Sequence, residues 1–282
     1  MAGACAGPSA APPCPMDPSA FFEQSPPMLA AFVASFLGGA AATTLGALPV
    51  LWIGSLSPRT SNAMLSFAAG VMLAATVFSL LLPGLAFAEA MFEHRLGAAL
   101  AVVSSLLVGG LSMGFVNRVL PHEHFLKGPE GPSGERIARV WLFVLAITLH
   151  NFPEGLSIGV GSASGEARIG LGVTIGIGLQ NLPEGLAVAM ALAGLGYSRL
   201  YALGIAALTG AVELAGGMFG AGLLALSTAI LPLALAFAAG TMLFVISDEV
   251  IPETHRGGFG ETATVALFVG FGLMFVLDVA LG

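Results

Sequence analysis

The chain has 282 residues, 56% of them hydrophobic and only 9% charged, with a formal net charge of -7. That is too little charge to cover a soluble domain of this length. There is no basic stripe for nucleic acid, and the single lysine, Lys127, is followed by Gly128, which excludes a GxxxxGK[ST] phosphate loop. The reading is an all-α polytopic membrane protein.

Residues 1–27 are rich in Ala, Pro and Ser and contain no Lys or Arg. They lack the basic start and apolar stretch of a signal peptide, so a disordered tail is expected. Both cysteines, Cys5 and Cys14, lie here; the sequence does not say whether they pair. Residues 28–282 form the membrane unit. Eight segments are apolar and long enough to cross a bilayer: 28–54, 61–85, 96–120, 138–163, 168–194, 199–226, 229–251 and 261–281. An even number of crossings puts both termini on one side. Arg59, Arg118, Lys127, Arg136, Arg139, Arg199 and Arg256 fall on one side of the membrane, Arg95 and Arg168 on the other. The positive-inside rule then makes the loop 121–137 cytoplasmic and both termini extracytoplasmic.

The sequence repeats itself. Phe67-Ala68-Ala69-Gly70-Val71-Met72-Leu73 in helix 2 matches Phe237-Ala238-Ala239-Gly240-Thr241-Met242-Leu243 in helix 7. Pro83 and Pro252 follow at similar distances, and Val108-Gly109 in helix 3 echoes Val269-Gly270 in helix 8. Helices 1–3 thus map onto helices 6–8, and helix 4 onto helix 5. Both shifts are odd, so the expected repeats are inverted, a pattern that points to alternating access around a midplane site. Small residues crowd helix 1 (Gly38, Gly39, Ala40, Ala41, Ala42) and helix 6 (Gly210, Ala211, Gly216, Gly217). They are expected to form smooth surfaces on which one bundle slides past the other.

The chemistry lies in one hexapeptide that occurs twice. Helix 4 carries His150-Asn151-Phe152-Pro153-Glu154-Gly155, and helix 5 carries Gln180-Asn181-Leu182-Pro183-Glu184-Gly185. A charged side chain at the centre of a membrane helix costs about 2.5–3.5 kcal/mol on insertion scales, so two carboxylates flanked by His, Gln and Asn call for a positive guest. His150 and Glu154 stand one turn apart on one face, about 6 Å along the axis, and Gln180 and Glu184 repeat the spacing. Asn151 and Asn181 lie on the adjoining face. Each proline lacks an N–H and disturbs the carbonyl four residues back, and such carbonyls must line a polar cavity. Imidazole with carboxylate suits zinc and its first-row neighbours.

Other residues are less specific. Glu213 is a third intramembrane carboxylate, among small apolar neighbours in helix 6. Met72 taken alone reads as packing. Asp248 and Glu249 near the end of helix 7, and Asp278 near the end of helix 8, could be path ligands, relays or interfacial charges. His122-Glu123-His124 in the long loop reads equally as a metal-collecting cluster or a solvated loop.

At these residues the chain resembles the ZIP (Zrt-, Irt-like protein) family of metal transporters, in its bacterial GufA-like branch. The likeness rests on HNFPEG, NLPEG, FAAGVML, LLPGL, PHEH, RVWLFVL and EVIPETH. The resemblance implies an elevator in which helices 1, 4, 5 and 6 move against helices 2, 3, 7 and 8, and a homodimer built on the second set. It also implies a binuclear centre. One site would use Met72, His150, Glu154, Gln180 and Glu184; the other, Asn151, Glu154, Asn181, Glu184 and Glu213. Gln180 stands where many members have His, and Asn181 where some relatives have Asp, which bears on the choice among zinc, cadmium, iron and manganese.

The expected function is therefore transport of a divalent metal ion, zinc first, across a cell membrane, the bacterial inner membrane, toward the cytoplasm. An intramembrane metal-dependent hydrolase is the alternative. Against it, none of the histidines at 94, 122, 124, 150 and 255 forms HExxH. The expected protein is thus not an enzyme, and its partners are metal ions, lipid and a second copy of itself.

Overall fold

A computed structural model of the chain describes residues 18–54, 56–119, 133–256 and 258–281. Among these, every regular element is helical. Eight helices are long and apolar enough to cross a membrane. They are α1 (Pro27–Leu51), α2 (Pro58–Met91), α3 (Arg95–Val119), α4 (Ser133–Ala163), α5 (Ala167–Gly194), α6 (Arg199–Leu226), α7 (Leu231–Val245, continued by Ile246–Val250 and Ile251–Arg256) and α8 (Gly260–Leu281). They match the eight expected segments in order, and the protein is a multi-pass membrane protein.

Local chemistry sets the helix ends. Ser57 caps α2, its hydroxyl accepting from the Thr60 amide, with Pro58 at the first helical position; Ser198 caps α6 through the Tyr201 amide. Gly165 and Gly196 adopt positive φ in the turns after α4 and α5, a conformation open to glycine at little cost. Three stretches widen into π-helix: Ser35–Ala41 in α1, Thr76–Leu81 in α2 and Ile246–Val250 in α7.

Order begins before residue 28. Pro18–Gln24 forms a short helix, and Phe22 is buried against Gly170 of α5. Within the expected tail, this short helix is held by the apolar pair Phe21-Phe22, which packs on the core.

The helices sort into two groups. α4 packs mainly on α6, with α1 on α5 and α6; α2 packs on α8, and α3 on α7. The groups α1, α4, α5, α6 and α2, α3, α7, α8 meet where α2 touches α5 and α7 touches α4. In their most apolar windows α4 and α5 are 76% and 72% buried, against 17% for α3 and 22% for α8. The hexapeptides thus sit on the innermost helices, while Leu96, Leu100, Leu107, Leu111 and Phe115 of α3 face outward.

Glycine lets the helices approach to backbone contact, which drives association where water cannot. A β-carbon on Gly70 would strike the Leu267 carbonyl, and one on Gly270 the Phe67 carbonyl; one on Gly240 would strike the Leu106 carbonyl, and one on Gly109 the Phe237 carbonyl. The α2–α8 and α3–α7 contacts therefore use corresponding residues of the two FAAG segments. In the other group Gly46 of α1 abuts the Leu182 carbonyl and Gly216 of α6 the Phe152 carbonyl, again at corresponding positions.

The small residues of α1 and α6 do not face the other group. Gly39 abuts the Glu213 side chain, Gly217 abuts Ser35, and Gly38 abuts Thr174 of α5. They are contacts inside one bundle, so the expectation that they form the sliding surface is corrected. A small-residue stripe marks close packing but does not name the partner.

Candidate metal centre

α4 and α5 run unbroken through Pro153 and Pro183. Each hexapeptide has an outer and an inner face. Phe152 and Leu182, at matching positions, are both 39% exposed, whereas His150, Asn151, Glu154, Gln180, Asn181 and Glu184 are all buried. Gly155 lets α4 touch the backbone of α6 at Glu213, and Gly185 lets α5 touch the backbone of α1 at Thr43. These two contacts bring Glu213, itself fully buried, to the same place.

The ionisable groups form one electrostatic cluster. Glu154 interacts with Glu184 and Glu213, Glu213 with Glu184, and Glu184 with His150. Three buried carboxylates repel one another, and an opposite charge between them relieves both the repulsion and the desolvation.

Hydrogen bonds divide these groups. Thr43 Oγ1 donates to Glu213 Oε1 at 2.8 Å, and Asn181 Nδ2 donates to Glu213 Oε2 at 2.6 Å. Gln180 Nε2 donates to Asn181 Oδ1 at 2.7 Å. By contrast, both oxygens of Glu154, Oε2 of Glu184, Oε1 of Gln180 and both amide atoms of Asn151 are buried without a hydrogen bond. Such atoms are costly to bury unless a ligand completes them. Among the described residues, no group of three His, Cys, Asp or Glu side chains is closed tightly enough to hold a metal ion. A metal here would draw on the amides as well, or on a small closure of the cluster.

The remaining candidates scatter. Met72 is buried in the apolar cluster that includes Ile158, Ile177 and Met242. Asp278 is buried near the end of α8, where it pairs with Arg168 of α5 at 3.0 Å and accepts from Ser79 Oγ at 3.1 Å. Asp248 is exposed and lines a groove of about 610 Å³ between α3 and α7 that no hexapeptide residue lines. His122, Glu123 and His124 lie outside the described residues, as does the side chain of Glu249.

Thr43 is the site residue that the sequence reading missed. A signal was present: in the register expected for helices 1–3 on 6–8, Thr43 is the counterpart of Glu213, by the same offset that relates Phe67 to Phe237.

Comparison with known proteins gives the chain a family. A family model described as ZIP Zinc transporter matches residues 121–278, which contain both hexapeptides and Glu213. The chain is similar to Zinc transporter GufA of Myxococcus xanthus, 48% identical over 255 residues that cover 90% of this chain and 100% of the relative. It is 49% identical to Zinc transporter ZIPB of Bordetella bronchiseptica over 249 residues, 87% of this chain and 81% of that one. Zinc transporter ZIP11 of Homo sapiens is 40% identical over 169 residues, 58% of this chain and 48% of the relative. The chain belongs to the ZIP family of zinc transporters.

Proposed function

We propose that this protein carries zinc down its electrochemical gradient into the cytoplasm, through a binuclear site drawn from α2, α4, α5 and α6. The observation that carries the reading is the set of buried, unsatisfied donor atoms on Asn151, Glu154, Gln180 and Glu184. A dehydrated divalent cation is the guest that completes the oxygens of this set. The one ion site takes Met72, His150, Glu154, Gln180 and Glu184, and the other takes Asn151, Glu154, Asn181, Glu184 and Glu213. Cadmium, iron and manganese are further substrates to be tested. The similar proteins named above are all called zinc transporters, and none bears an enzyme's name, which gives the hydrolase alternative no support.

The seven basic residues against two favour extracytoplasmic termini in a bacterial inner membrane. A divalent ion moving inward across 100 mV gains about 4.6 kcal/mol, enough to drive uptake without ATP. The division into two helix groups with contacts at corresponding positions supports an elevator, in which α1, α4, α5 and α6 carry the ion past α2, α3, α7 and α8. The outward apolar face of α3 suits a homodimer on the second group.

The test is zinc uptake by liposomes that contain only the purified protein. Wild-type protein is expected to load the vesicles. Glu154→Ala and Glu184→Ala are expected to abolish uptake while keeping a folded helical spectrum. Full uptake by either variant would sink the binuclear reading.

A further inference from the structure

The three intramembrane glutamates differ in one respect. Both oxygens of Glu213 are taken by protein donors, whereas neither oxygen of Glu154 has one. The two donors that hold Glu213 share a second property. Thr43 Oγ1 also lies 3.2 Å from the carbonyl of Gly39, one turn back in α1. Asn181 Nδ2 also lies 2.8 Å from the carbonyl of Gly38. The single Thr43 hydroxyl proton therefore has an alternative acceptor, whereas the two N–H groups of the Asn181 amide serve Gly38 and Glu213 at once; the two carbonyls are consecutive within the π-helical stretch Ser35–Ala41. A carbonyl has two lone pairs and can take a side-chain donor in addition to its helix partner.

Two arrangements follow from this inventory. In the first, Glu213 is docked on α1 and α5 and is not available as a ligand. In the second, Glu213 swings to a cation, the Thr43 hydroxyl turns fully to the Gly39 carbonyl, and the Asn181 amide keeps the Gly38 carbonyl. The Thr43 hydroxyl is met in both, and the second leaves one Asn181 N–H without its carboxylate. Asn181 is held in the first arrangement as well, because its Oδ1 accepts from Gln180 and so does not face a cation.

We infer that Thr43, with the Gly38 and Gly39 carbonyls, is a clasp that withholds Glu213 from the second ion and so sets that ion's affinity. Thr43 is a positioning residue and touches no metal. The inference rests on the binuclear reading, and the experiment separates the two.

The experiment is calorimetric titration of zinc into the purified protein in detergent, with thermal melting of the metal-free protein as the folding control. The variants are Thr43→Val, which keeps the shape and removes the donor, Thr43→Ser, which keeps the hydroxyl, and Thr43→Val in a Glu213→Gln background. Thr43→Val is expected to tighten the weaker ion roughly ten-fold, the scale of one hydrogen bond to a charged group, and to move the stronger ion by less than about two-fold. Thr43→Ser is expected to return the weaker affinity to the wild-type value, and with Gln at 213 the valine is expected to have no effect. If Thr43→Val does not fold, Thr43→Ala removes the donor with less bulk and carries the same expectation.

An unchanged or weakened second ion in the folded variant would overturn the clasp. One ion in the wild type and two in Thr43→Val would overturn native binuclearity while upholding the clasp. One ion in both would overturn both.

Discussion

Arg168 and Asp278 join the two helix groups at 3.0 Å, and the pair is lopsided. The Asp278 side chain is 3% exposed and the Arg168 side chain 56% exposed. Loss of the arginine would leave a buried carboxylate with only the Ser79 hydroxyl, whereas loss of the carboxylate leaves a guanidinium that water can reach. Unpaired buried charge is the costlier state. Arg168→Ala is therefore expected to lower the melting temperature more than Asp278→Asn does, and the double variant Arg168→Ala/Asp278→Asn is expected to recover part of the loss. Equal losses in the two single variants would show that the pair behaves as an exposed bridge of small worth.

The glycines between α1 and α6 give a second expectation. A side chain at 39 meets the Glu213 side chain, and one at 217 meets Ser35. Gly39→Leu and Gly217→Leu are thus expected to lose zinc binding and zinc uptake together, read by titration and liposome flux on the same preparations. Retained binding with lost flux would return these positions to a sliding surface.

Close packing can be weighed against open positions. Gly70→Ala and Gly240→Ala each drive a methyl into a carbonyl of the facing helix, and overpacking of this kind costs about 1–3 kcal/mol. Gly204, Gly222 and Gly272 have nothing within 4 Å of an added β-carbon. Alanine there is expected to be neutral or to stabilise by up to about 1 kcal/mol through helix propensity. Thermal unfolding in one detergent compares all five; similar shifts in both sets would contradict the packing account.

Gln180→His tests the donor set. An imidazole is a stronger ligand for zinc than a neutral amide, so affinity is expected to rise roughly ten-fold, with slower turnover if release limits. Unchanged affinity by titration would remove Gln180 from the coordination sphere.

Much of this architecture was legible in the sequence. Apolar length alone located eight spans, because a bilayer requires it. The doubled hexapeptide pointed to buried helix faces, and the structure buries His150, Asn151, Glu154, Gln180, Asn181 and Glu184. The FAAG pair located corresponding helix contacts, now visible at Gly70 and Gly240. What was illegible depends on partners distant in the chain. Thr43 looks like any helical threonine bonding back to its own turn, which it also does, and only the fold brings Glu213 to it. Asp278 could not be interpreted until Arg168 stood beside it. The α1 and α6 glycines announced tight contact without naming the partner: Gly39 and Gly217 each meet the other's helix, Gly38 meets α5 and Gly216 meets α4.

The wide turns at Ser35–Ala41, Thr76–Leu81 and Ile246–Val250 carry a consequence for length changes. A π turn accommodates an extra residue in an α-helix. Removal of one residue from within such a turn can restore the α ladder and leave the helix beyond in its present phase, whereas the same deletion in a regular α stretch rotates everything beyond by about 100°. In α2 a one-residue deletion at the wide turn would therefore keep Pro83 and the rest of the helix against their present neighbours, while one in the α-helical stretch Pro58–Ala75 would turn them away. These three stretches are thus the most forgiving places in their helices for a lost codon.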